Sequence, residues 1–288
     1  MARIIAICNQ KGGTGKTTTA VNLSVAIGMA GKKVLLLDID PQANATSGAG
    51  IDRNKITQST YDVLIDETPI ADIALLSLEN KITLLPSHSA LAGAEVELVS
   101  VFSREYRLKK ALENIKSGYD FIFIDCPPSL GLLTINALAA ADSVLIPVQC
   151  EYYALEGLTQ LLNTITLVRK NLNSNLEIEG VLLTMADYRT NLTQEIISEV
   201  KAYFKEKVYN SIIPRNIRLT EAPSFGKSIF IYDKDSAGAK KYSELANEIL
   251  GINIIQPIEN NRVTEILAAP AISAECLLEK EADKNEAI

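Results

Sequence analysis

Short apolar runs, each closed by an acidic or turn-forming residue, alternate with segments of helical period through the first 250 positions of this chain. The pattern predicts strands at 4–7, 33–38, 82–86, 119–125, 143–148, 178–185 and 208–213. It predicts helices over 20–30, 90–116, 132–141, 155–170, 193–204 and 236–250. Residues 45–80 are the least regular stretch, with one short helix expected at 60–66. Several runs, such as Val34 to Leu37, are apolar at every position, which suits strands buried on both faces. Repeated strand–helix units imply right-handed crossovers, hence a doubly wound α/β fold with a mostly parallel sheet between layers of helices. Residues 1–251 read as one such domain. Residues 252–288, with Pro257, Pro270 and an acidic end, read as a C-terminal extension, helical around 272–280 and otherwise poorly ordered.

The first strand runs into Cys8-Asn-Gln-Lys-Gly-Gly-Thr-Gly-Lys-Thr-Thr-Thr19. Strand, glycine-rich turn, Gly-Lys-Thr and helix form the setting of a phosphate-binding loop. Gly12, Gly13 and Gly15 let the backbone crowd up to a phosphate, and N–H groups then converge at the positive end of the next helix. Lys16 supplies a point charge for the phosphates, the Thr17 hydroxyl a ligand for Mg²⁺, and Thr14 and Thr18 complete the loop. One position departs from the usual spacing: Gln10 stands where glycine is expected, and Lys11 is added inside the loop.

Four apolar residues precede Asp125, the Walker B arrangement, which carries a carboxylate to the sheet edge where Mg²⁺ and phosphates sit. Asp38 and Asp40 close the second strand before Pro41. Asp40 reads either as the carboxylate that orients an attacking water or as a turn cap.

Bulk properties narrow the field. Net charge is −7 and hydrophobic content 47%, ordinary for a globular protein and unlike a general nucleic-acid coat, although a local basic patch fits. No apolar run reaches membrane-spanning length, and the early first strand leaves no room for a signal peptide, so a cytoplasmic protein is expected. Cys8, Cys126, Cys150 and Cys276 are scattered, as reduced thiols are, and His88 is the only histidine, which disfavours a histidine-based triad.

Lys11 to Thr18, Leu37 to Asn44 and Phe123 to Pro128 together resemble the ParA/MinD family of P-loop ATPases, whose phosphate loop carries an extra lysine. Ala186 to Leu192 and Ile213 to Gly226 resemble its Soj-type chromosomal ParA branch. The resemblance spans about residues 1–250. It implies ATP and Mg²⁺ as ligands and a homodimer in which Lys11 reaches the ATP of the other subunit. Asp40 would position water, Thr17, Asp38 and Asp125 would surround Mg²⁺, and Pro214 and Asn216 would meet the adenine. It further implies that Arg189 and Arg218 hold phosphates of double-stranded DNA without reading sequence, on the nucleoid, and that a ParB-like partner stimulates hydrolysis. Lys201, Lys205 and Lys227 read equally as widening that patch or as ordinary solvated lysines. A MinD-like membrane-cycling ATPase is the first rival, but its basic amphipathic C-terminal helix is missing from this acidic tail. A metabolic P-loop ligase would not need Lys11, Arg189 or Arg218. An iron–sulfur protein with a cluster bridging two subunits would need a pair of cysteines per chain at set positions; Cys126 stands beside Asp125, but Cys8 and Cys150 fall on strands and read as core.

Overall fold

The computed structural model describes residues 2–252, apart from 78–79 and 152–155 and the side chains of 156–157. The extension expected beyond residue 252, with its helix around 272–280, lies outside the described residues. Seven strands form one sheet: β1 (Arg3–Ile7), β2 (Val34–Asp38), β3 (Leu75–Ser77), β4 (Ile82–Leu85), β5 (Phe121–Asp125), β6 (Ser143–Gln149) and β7 (Glu177–Thr184), in the order β3-β4-β2-β5-β1-β6-β7. All neighbours pair in parallel except β3 with β4.

Alternation along the strands divides the interior in two. Ile4, Ala6, Leu35, Leu37, Ile122 and Ile124 face one core, while Ile5, Ile7, Leu36, Phe121 and Phe123 face the other. Helices cover both faces, as expected for parallel strands that are apolar throughout. The helix after the loop, α1 (Lys16–Met29), packs against Ala237–Leu250 and is buried around most of its circumference. Sheet register then does the positioning. Ile7 pairs with Asp125, and Asp125 with Asp38, so three adjacent strands deliver the loop and two carboxylates to one edge.

Three expectations are corrected. The helix anticipated over 90–116 is broken into Leu91–Glu97 and Arg107–Glu113, joined by 3-10 turns with Ser103 at φ 54°. Val96, Val99 and Phe102 are exposed there, so no continuous apolar face exists to hold one long helix together. The strand at 208–213 is reduced to isolated bridges, Val181 to Val208 and Ala186 to Pro214. Its middle is held elsewhere, because Asn210 and Ser211 N–H groups donate to Glu248 at 2.8 and 2.7 Å. Finally, β3 occupies an edge where only irregular chain was expected.

Candidate functional site

Gly13 and Gly15 take φ of 76° and 87°, values that a side chain would strain. Gly15 caps α1, and no side chain bonds to the helix's first N–H groups, which leaves them for a ligand. The loop is braced from residues far away in sequence. The Thr184 hydroxyl donates to Thr14 O at 2.8 Å, and Asn9 bridges Pro147 O at 2.6 Å and Lys11 N at 3.0 Å. No added Cβ at Gly12 or Gly13 would meet another atom within 4 Å, so the concavity is open to a ligand.

The two loop lysines part company. Lys16 is 7% exposed, and its ammonium donates to Lys11 O at 3.1 Å. Burial pushes its pKa below the usual lysine value, opposed first by the charge of Asp125. Lys11 instead lies on the rim, its Nζ 3.7 Å from Glu151 Oε2. Arg215 approaches the other oxygen of Glu151 at 3.2 Å.

Thr17 Oγ1 donates to Asp125 Oδ2 at 2.7 Å, while Oδ1 of Asp125 is buried without a partner. Desolvation, then the neighbouring Asp38, hold the Asp125 carboxyl well above its ordinary range. A carboxylate with an orphaned oxygen beside a hydroxyl fits a hard cation, which prefers oxygen ligands. Asp38 is engaged differently. One oxygen accepts from Thr46 N and Oγ1 at 2.8 and 2.7 Å, and the other from Asp40 N at 3.1 Å. Its carboxylate therefore pins the loop 40–46 rather than facing the cradle, and burial raises its pKa to about 7. Asp40, 6% exposed, accepts from Gln42 N at 2.9 Å, so the turn-cap reading and a place beside the cradle coexist.

Pro214 forms the isolated bridge to Ala186, and Asn216 caps the helix Ile217–Glu221 by accepting from Arg218 N at 2.8 Å. The Asn216 side-chain oxygen is thereby used, leaving its NH₂ for a ligand. Arg189 lies in the turn before the helix Asn191–Phe204, whereas Lys201 and Lys205 lie at that helix's far end. At 1.5 Å per residue they stand roughly 15–20 Å along the axis from Arg189, too far to share one phosphate with it. Lys227 is half-buried in the loop after Phe225. Sequence reasoning missed Thr184, Asn9, Glu151 and Arg215, whose parts depend on contacts across more than 60 positions.

Cys8, Cys126 and Cys150 are buried free thiols, with burial pushing Cys150 up to about 11. A cavity of about 580 Å³ at the amino ends of β2 and β4, lined by Lys32, Lys33, Lys81 and Tyr119 among others, contains none of the candidate residues. Among the described residues no helix is long and apolar enough to cross a membrane.

Residues 2–178 match the family described as AAA domain. The sporulation initiation inhibitor protein Soj of Bacillus subtilis is 61% identical over 249 residues, covering 86% of this chain and 98% of Soj. The chromosome partitioning protein ParA of Myxococcus xanthus is 52% identical over 250 residues, covering 87% and 88%. Among solved structures, cobyrinic acid a,c-diamide synthase from Mycobacterium smegmatis with bound ADP and magnesium is similar at a TM-score of 0.77 and 37% identity, covering 87% of this chain and 94% of that one.

Proposed function

The chain belongs to the family of Soj and ParA chromosome-partitioning ATPases, and from that membership we propose that it is a nucleotide-gated clamp on DNA. It is an ATPase, using ATP with Mg²⁺. The phosphates are received by the N–H groups of residues 12–18 and by Lys16, whose burial makes an unpaired ammonium costly and a phosphate partner welcome. Thr17 and Asp125 hold the Mg²⁺, which supplies positive charge to the phosphoryl oxygens. Asp38 keeps the loop 40–46 in place, and Asp40 at its start orients the attacking water. Phosphoryl transfer asks the protein chiefly for such positioning.

The observation that carries the dimer reading is the separation of the two lysines. Lys16 is buried in its own cradle with its ammonium on Lys11 O, whereas the Lys11 side chain lies on the rim beside Glu151, where it is available to a second subunit's phosphates. In the resulting dimer Arg189 and Arg218 contact DNA phosphates, Pro214 and Asn216 flank the adenine, and a ParB-like partner accelerates hydrolysis and release. Phosphate contacts alone carry no base information, so binding is non-specific. The protein acts in the cytoplasm, on the nucleoid while ATP is bound.

The test is binding of random-sequence duplex DNA at two salt concentrations, with ATP, ADP or no nucleotide. ATP-dependent, salt-sensitive binding that Lys11→Ala abolishes is expected; binding indifferent to nucleotide would reject the clamp. The 37% identity to a solved structure bearing a synthase's name favours a second reading, an ATP-dependent synthase. Phosphate release with only ATP, Mg²⁺ and water present counts against it.

A further inference from the structure

The arginines of the DNA reading are not free. Arg189, with its side chain 85% exposed, is clamped in both directions by Asp187: Nε to Oδ1 at 2.8 Å and Nη2 to Oδ2 at 2.6 Å. The aspartate is the fixed member, at 23% exposure, and its carbonyl accepts from Thr190 N at 3.1 Å. Arg218 lies between Glu221, at 3.0 Å, and Asp233, at 3.5 Å. Glu221 is fixed in turn by the Tyr232 hydroxyl at 3.0 Å, and the Tyr232 ring stacks on Phe225 with centroids 5.2 Å apart. Arg215 meets Glu151. Arg189, Arg215 and Arg218 are thus each set against carboxylates: Asp187, Glu151, and Glu221 with Asp233.

That arrangement is poor for a surface meant to hold DNA tightly, because an arriving phosphate meets a carboxylate beside each arginine. A guanidinium keeps further N–H donors after pairing, so phosphate contact is still open to it. The contact is then shared with an anion, and the attraction is reduced. We propose that Asp187, Glu221 and Asp233 are charge guards, acidic partners whose work is to keep DNA binding weak enough to reverse. The inference rests on the DNA reading above and names how that site is tuned. Asp187, with a carboxyl pKa held down to about 2 by its bonds to Arg189, stays ionised at every working pH, so the guard is permanent rather than pH-switched. Reversal must then come from nucleotide state.

The experiment measures binding of the full chain to random-sequence duplex DNA with a non-hydrolysable ATP analogue, at low and moderate salt. Asp187→Asn and Glu221→Gln preserve shape and remove charge. Each is expected to tighten binding about 2- to 30-fold at low salt, counting two copies per dimer, with the gain shrinking as salt rises. Glu67→Gln removes the same charge where Glu67 pairs with Arg107 and Lys110, and is expected to leave affinity unchanged. Unchanged or weaker binding by the guard variants would overturn the proposal, because the carboxylates would then serve to hold the arginines in place. Equal tightening by Glu67→Gln would overturn it too, by reducing the effect to net charge. Wild-type protein that binds the analogue but no DNA would instead overturn the DNA reading itself.

Discussion

Thr17 and Asp125, on neighbouring elements 108 positions apart, share a 2.7 Å hydrogen bond that leaves one Asp125 oxygen buried and unpartnered. An unpartnered carboxylate oxygen beside a hydroxyl is the donor set assigned above to Mg²⁺. Asp125→Asn should therefore reduce Mg²⁺ affinity about 10–100-fold, as loss of a group orienting a metal ligand does. ATP titrations across a range of Mg²⁺ check it; an unchanged Mg²⁺ requirement would remove Asp125 from the site.

Lys16→Ala should abolish ATP binding without harming the apo fold. The ammonium is buried and its pKa depressed, so the empty protein gains little from it. Thermal unfolding with and without Mg–ATP separates the two effects: the apo Tm should hold while the nucleotide-induced rise disappears. A rise that survives would reject the phosphate role.

Asp40→Ala should bind ATP normally and stop turning it over, accumulating the ATP-bound dimer in size-exclusion chromatography. Normal phosphate release by this variant would leave Asp40 only its hydrogen bond to Gln42 N.

The apo protein should lose stability as pH rises from about 4 towards 7. Asp38 has its folded carboxyl pushed up to about 7 against an ordinary 3.8, so in that window the folded state keeps a proton that the unfolded chain has released. The unfolded state then binds fewer protons, and the slope of stability with pH is negative, up to about 1.4 kcal/mol per pH unit for one proton. Urea unfolding at several pH values should give a flatter profile for Asp38→Asn. An identical profile would place the titration elsewhere.

Much of this was legible in sequence because it is written locally. Apolar runs mark β1, β2 and β5, and Gly-Lys-Thr after a strand marks the loop, since each depends on neighbours within a few positions. What escaped depends on distant partners. Thr184 braces Thr14 across 170 positions, and Glu151 links Lys11 to Arg215; neither residue type announces this in its own segment. Asp38 shows the limit most clearly. Its place at a strand end was foreseeable, but only the fold reveals that Thr46 and Asp40 claim both oxygens. The three-residue β3 and the interruption near Ser103 are set by edge position and by a left-handed turn, which hydrophobic periodicity does not encode.

The burial of α1 on nearly every side has a mechanical meaning. A helix wedged between the sheet and Ala237–Leu250 cannot tilt when phosphates arrive at its amino end. The cradle is an anvil, and the bound state must be reported by whatever can still yield around it. The loop from Asp40 to Thr46 is tied to the Asp38 carboxylate and to Ser87, and the Lys11 side chain to a half-exposed ion pair. Stiffness in the floor thus forces the message outward, to the two margins where another subunit would feel it.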